Sequence, residues 1–344
     1  MASGSLPGFL TLRRMASVLI LAGKLCAAES ISIDGVVLDA VGQGISGATV
    51  RLEHAQLVTT TGPDGAFILA GAAAPGSALR SVETGAAHPS WNRDPAPAWA
   101  DLLTVAAAGH LDHRDLITTD TGGRIVVRLL ANAGDVVDAD GNVYQSVRIG
   151  NQVWTVGDLR TTTFNDGTAI PEITDTSAWG EATTPGRCWY HNDASLGPIS
   201  GCLYNWFAVN TGRLAPAGWR VATDADWSAL DDHLRADADT AAGHGYAKAM
   251  DARMSWRRCT AQGAVGNDLS RNNASGFSAL PGGFRSSAKD RGVFATRGEF
   301  GFWWSATASH ERQAYSRCLF YGDAHLLRHV HNVKFGLSVR LVRD

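Results

Sequence analysis

Apolar runs in this chain are short, they end on turn-forming residues, and long helical stretches are hard to find. That pattern points to a turn-rich, mostly β protein and away from a helical bundle. From Ile31 to about Leu130 the β-branched runs are Ser32–Val37, Ala48–Leu52, Ala66–Leu69, Leu103–Ala106 and Arg124–Leu129. Between the second and third lies Thr61-Gly62-Pro63-Asp64-Gly65, where the proline fixes φ and the glycines tolerate positive φ, a turn with a mechanism. Strands of this length and spacing predict a small antiparallel β-sandwich. A Gly-, Ala- and Pro-rich stretch between Gly71 and Ala100, with Trp91 and Trp99, reads as a long surface loop inserted in it.

The 344 residues are 45% hydrophobic and 18% charged with a net charge of -3. A chain so apolar and so balanced folds, and its length predicts roughly two domains. It lacks the clustered positive charge of a dedicated nucleic-acid binder, so no nucleic acid is expected as a partner. Arg13 and Arg14, an apolar run from Met15 to Leu25 interrupted by Lys24, and the small residues Cys26, Ala27 and Ala28 follow the order of an export signal. The run falls short of the roughly 20 apolar residues that span a bilayer. Residues 1–28 are therefore expected to be removed, leaving a mature chain from about Glu29 with no transmembrane segment, secreted or at the cell surface. A buried N-terminal helix is the alternative, and Met15 is an alternative start.

Without those residues the chain keeps Cys188, Cys202, Cys259 and Cys318, an even set that an oxidising compartment would pair. No two have the short spacing of a zinc ribbon. Of three possible pairings, Cys188 with Cys202 and Cys259 with Cys318 is favoured, because the first pair is close in sequence; four free buried thiols are the alternative.

Segments Gly35-Val36-Val37, Gly47-Ala48-Thr49-Val50 and Thr61 to Phe67 make residues 29–131 resemble the carboxypeptidase regulatory-like domain, a transthyretin-like sandwich of exported bacterial proteins. That resemblance implies an accessory domain without peptidase activity. Beyond Ala131 the pattern changes. Asp138 to Tyr144, Ile149 to Trp154, Leu159 to Thr162, Tyr204 to Val209, Ser275 to Gly283 and Phe302 to Thr307 occur in an order that resembles the Fibrobacter succinogenes major paralogous domain over 132–344. Thr155-Val156-Gly157-Asp158 stands where that family has an acidic-Asn-Leu segment. The family resembles the C-type lectin fold and its relatives, including the formylglycine-generating enzyme group, and Leu214 to Trp227 carries that similarity. The resemblance implies an α+β second domain. Thr223 is placed to cap a helix with Asp226 closing the box, Trp227, Leu230 and Leu234 share one helical face, and Gly336 to Val342 reads as a half-buried final strand.

Asp138-Ala139-Asp140-Gly141-Asn142 imitates the opening of a calcium loop, but Ile149 holds the place of its last carboxylate, so a hairpin turn is the better reading. His325, His329 and His331 cannot all lie on one regular element and have no acidic neighbour closer than Asp323, which favours ligand-face or loop histidines over a metal site. No catalytic residues, cofactor or metal emerge: serine-nucleophile and phosphate-loop patterns are missing, and the cysteines do not match the copper-binding pair of the related oxidase group. Trp206, Trp303 and Trp304 are candidate stacking faces or core fillers. Between Ser309 and His331 the chain mixes polar and aromatic residues as adaptable binding surfaces do, and in lectin-like proteins this stretch supplies the ligand face. Tyr315, Arg317, Tyr321, Arg328, His325 and His329 are the expected contacts to a glycan, peptide or protein ligand outside the cytoplasm. An enzyme related to the formylglycine-generating group and a surface scaffold without soluble ligand are the alternatives.

Overall fold

The computed structural model describes residues 30–72, 100–118, 124–237, 245–287 and 292–344. The export-signal reading and Trp91 and Trp99 lie outside the described residues. The chain divides into two compact units, Met1–Ala131 and Asn132–Asp344.

In the first unit, β1 (Ser30–Leu38), β2 (Thr49–Leu52), β3 (Leu57–Thr60), β4 (Ala66–Ala72), β5 (Ala100–Ala106), β6 (His113–Thr118) and β7 (Ile125–Arg128) form two sheets, in the orders β4-β1-β7 and β3-β2-β5-β6. All neighbours are antiparallel except β1 and β7. Every second residue of the strands turns inward, so that Val37, Phe67 and Leu69 from one sheet meet Val50, Leu52, Leu103 and Val105 from the other in one core. The turn expected at Thr61 to Gly65 forms, with Gly65 at φ 78°. A Cβ there would lie 2.2 Å from the Val37 carbonyl oxygen, so only glycine fits. Two strands were not legible in the sequence, β3 and β6. They are the outer strands of their sheet, and an outer strand takes its shape from its neighbour more than from its own apolar pattern.

The second unit contains β8 (Val136–Val137), β9 (Val143–Tyr144), β10 (Ser146–Ile149), β11 (Gln152–Thr155), α1 (Thr176–Glu181), β12 (Arg187–Cys188), α2 (Gly197–Ser200), β13 (Leu203–Tyr204), α3 (Trp206–Val209), β14 (Trp219–Val221) and α4 (Asp224–Asp237). It continues with β15 (Phe284–Arg285), β16 (Phe294–Ala295), β17 (Phe300–His310), β18 (Gln313–Phe320), β19 (Leu327–Asn332) and β20 (Leu341–Arg343). One sheet has the order β10-β11-β20-β14 and another β17-β18-β19, with two-stranded ladders β8-β9, β12-β13 and β15-β16 beside them. Pairing of Trp154 with Val342 brings the start and end of the unit together.

The long helix α4 begins as its sequence dictates. The Asp226 amide donates to Thr223 Oγ1 at 3.2 Å, and the Thr223 amide donates back to Asp226 Oδ2 at 2.8 Å, a reciprocal cap. Trp227, Leu230 and Leu234 are its buried face. Trp227 packs 4.9 Å from Trp154, 5.8 Å from Phe277 and 6.2 Å from Trp303, centroid to centroid. Asp138, read as a hairpin residue, has its carboxylate filled by internal donors: the amides of Asp140 and Asn142, the Asn142 side chain and the Tyr144 hydroxyl.

The last segment differs from its half-buried reading. Gly336 to Val342 is buried throughout, and only Leu341–Arg343 forms a regular strand. Arg340 is 0% exposed. Its Nε donates to Asp158 Oδ1 at 2.5 Å, and its other donors reach the carbonyls of Thr155, Val156, Phe277 and Ser278. Trp303 Nε1 donates to the same Asp158 oxygen at 2.8 Å. A guanidinium can be buried here because it is paired and its hydrogen bonds are made.

Candidate functional site

The sheet β17-β18-β19 carries the Ser309 to His331 segment, and its register decides which side chains share a face. Trp303 pairs with Arg317 and Arg317 with Arg328, while Tyr315 pairs with Val330. These residues occupy the face that α4 packs against. On the other face, one residue out of step, lie Phe300, Phe302, Trp304, Ala314, Ser316, Cys318, Phe320, Leu327, His329 and His331.

Three of the expected contacts converge on the first face around Asp224, the first residue of α4. Arg317 Nη1 donates to Asp224 Oδ1 at 2.6 Å, and Arg328 donates to both Asp224 oxygens at 2.8–3.1 Å. Burial pushes the Asp224 pKa up, but hydrogen bonds from Arg328 and Arg317 outweigh it and hold the carboxyl below its usual range. Arg328 lies over the Tyr315 ring, 3.8 Å from its centroid. The Arg317 side chain is 3% exposed and also reaches Ser228 Oγ. The contact role expected of Arg317 is therefore set aside: it fastens β18 to α4. Arg328, 50% exposed, is fastened at one side and open at the other.

His329 lies on the opposite face, and Tyr321 and His325 lie at the β18–β19 connection. His325 Nδ1 is 2.8 Å from Asp323 Oδ1, and its ring meets the edge of Tyr246 at 5.7 Å. Tyr321 is covered on one side by the Arg257 guanidinium at 4.8 Å, itself 2.8 Å from Glu299. The six expected residues thus fall into three places and do not form one cluster. Trp303 and Trp304 are fully buried and Trp206 nearly so, which makes them core.

Sequence reasoning missed a row of rings on the second face. Phe300 stacks on Phe320 at 4.5 Å and on Phe302 at 5.5 Å, Phe320 meets Tyr321 at 4.5 Å, and Phe302 meets Phe284 at 5.4 Å. Phe284 and Phe335 are 5.6 Å apart, and His331 lies 5.0 Å from Phe335 and 5.5 Å from Phe302. Phe284, Phe300, Phe320, Tyr321 and Phe335 are half-buried, so the row is the margin of the core where it reaches water. Its sequence signal is Phe300-Gly301-Phe302, two rings on one side of a strand, but Phe284 and Phe335 come from distant segments that only the fold brings in. His331 Nδ1 is 2.8 Å from Ser316 Oγ. Burial, and secondarily His329, push the His331 pKa down to about 4, which leaves a neutral imidazole at neutral pH.

Neither expected disulfide is present: Cys188, Cys202, Cys259 and Cys318 are free thiols. The pleat explains the first pair. Cys188 is opposite Leu203, so Cys202, one residue earlier, turns to the other side of the ladder. Cys188 packs with Trp179 and Tyr190, whereas Cys202 joins the main core. For the second, Cys318 points into that core while Cys259 Sγ lies at the sheet end, 3.3 Å from the Tyr321 carbonyl oxygen. Burial pushes both the Cys188 and Cys202 thiols up to about 12, which keeps them protonated. Among the described residues no three His, Cys, Asp or Glu side chains gather as a metal site, and no helix is long and apolar enough to cross a membrane.

Residues 147–343 match the model of the family described as the Fibrobacter succinogenes major domain. The chain belongs to that family. The match takes in every element from β11 to β20 and nearly all of β10, so the α4 cap, the Arg340–Asp158 pair and the aromatic row all lie within the Fibrobacter succinogenes major domain. A search of curated proteins found no match to the chain.

Proposed function

We propose that this is a non-catalytic binding protein of the bacterial exterior, secreted or held at the cell surface, whose Fibrobacter succinogenes major domain presents the β17-β18-β19 sheet to a glycan, peptide or protein ligand. In this reading the domain is C-type-lectin-like, and the first unit is a carboxypeptidase regulatory-like sandwich that serves as an accessory. The observation that carries it is the half-exposed row Tyr321, Phe320, Phe300, Phe335 and Phe284, flanked by His329 and His331. Aromatic side chains combine large contact area with few rotamers and dominate binding hot spots. Arg328 adds a cation at the edge of the same sheet.

The test is a glycan and protein array probed with the full chain, followed by Phe320→Ala, Tyr321→Ala and His329→Ala measured for affinity and melting temperature. At least one variant is expected to weaken binding by about 2 kcal/mol with its fold kept. Variants that lose stability but hold affinity would show this face to be structural.

A further inference from the structure

Strand β19 is the outer strand of its sheet. Natural edges are blunted by bulges, prolines, outward charges or a covering element. Six consecutive pairs from Gln313–Asn332 to Cys318–Leu327 hold it in unbroken register, and Leu327-Arg328-His329-Val330-His331-Asn332 contains no proline. Its only permanent charge, Arg328, is folded back over Tyr315 and onto Asp224 instead of standing out from the edge. Among the described residues, no loop or turn hydrogen bond reaches the backbone of residues 328–331. Val330, 42% exposed, stands beside it.

We infer that this edge receives an extended peptide as an added strand, and that the peptide alternates acidic with apolar side chains. The inference rests on the reading of this sheet as the ligand face and names its ligand class. Charge selects the occupant. The strand carries no carboxylate, and the two guanidiniums of Arg317 and Arg328 share the single carboxylate of Asp224, so the charge beside the edge is net positive. A second copy pairing antiparallel through β19 and centred on His329 would set the two Arg328 side chains diagonally across one face, so like charges oppose self-pairing. The ring geometry also selects. Phe300 and Phe302 are parallel to within 10°, and Phe300 and Phe320 to within 24°, so these rings cover part of one another's faces. That suits apolar side chains continuing the cross-strand rows from Leu327 and His329 better than a flat sugar face. Acidic side chains would then fall on the opposite face, beside Arg328 and Val330.

The probe is an eight-residue peptide alternating Val and Glu, titrated onto the full chain beside a Val–Lys peptide and two Val–Glu peptides N-methylated at odd or at even positions. The Val–Glu peptide is expected to bind at least about tenfold more tightly than Val–Lys, with an advantage that shrinks as salt is raised. One N-methyl series is expected to lose binding and the other to keep it, because alternate amides face the edge. Val330→Glu, at an exposed position, is expected to reverse the preference between the two peptides. Absence of Val–Glu binding at about 1 mM, equal binding of both N-methyl series, or a Val330→Glu variant indistinguishable from wild type would overturn strand addition. The array with its alanine variants reads the broader ligand-face claim separately, so a failure here leaves that result standing.

Discussion

Two residues make the chain sensitive to pH in opposite directions. Asp251 is 0% exposed and neither carboxylate oxygen has a hydrogen-bond partner among the described residues, and burial holds its pKa well above 3.8 against the pull of Lys248. The folded chain keeps a proton that the unfolded chain releases, so this contribution is intact below about pH 3.8 and is lost as pH rises toward the folded value. Asp251→Asn is expected to flatten that loss and to gain about 1 kcal/mol or more at pH 8, measured by urea unfolding at pH 5 and 8. His331 works the other way. Its pKa falls from 6.5 to about 4 on folding, so the unfolded chain takes up the proton first and stability drops as pH falls from 6.5 to about 4, then levels off. His331→Gln, which keeps a partner for Ser316, is expected to remove that drop from the pH profile of the melting temperature. The Asp158–Arg340 pair sets the largest single-residue effect. Asp158→Ala leaves a buried guanidinium without its counter-ion and is expected to cost about 3–5 kcal/mol, read by denaturant unfolding.

Helix α4 was legible residue by residue, because its cap and its apolar face are local patterns that need no partner to be recognised. Thr223→Ala is expected to cost about 1 kcal/mol, and Asp224→Ala more, since Arg317 would lose its carboxylate while still buried. A comparison of the two variants by denaturant unfolding checks the order. Strands were legible where apolar and polar residues alternate, as in β2, and illegible where a neighbour or a burial pattern decided them. The final segment shows why: Ser338 and Arg340 occupy positions that alternation assigns to solvent, yet the molecule encloses both sides of that segment. The candidate face was half legible for the same reason. The interval Ser309 to His331 falls on the strand pair β18 and β19, but spacing does not show that Arg317 turns inward to Asp224 or that Phe284 and Phe335 arrive from elsewhere.

At the scale of the whole molecule, stability rests on packing and buried polar pairs in each unit, with no covalent link among the described cysteines. An even cysteine count could not reveal this, because strand pleat, not number, decides which sulfurs meet. The melting temperature of protein folded under oxidising conditions is therefore expected to be unchanged by reductant. A clear fall would show that bridges had formed.

In the proposed binding mode, ligand meets the sheet of the Fibrobacter succinogenes major domain at its aromatic row and outer strand. Amide hydrogen exchange of the full chain, with and without a ligand found on the array, tests it most directly. Slowed exchange is predicted in residues 300–302, 320–321 and 327–332. Protection confined to the first unit, or to the β10-β11-β20-β14 sheet, would contradict it.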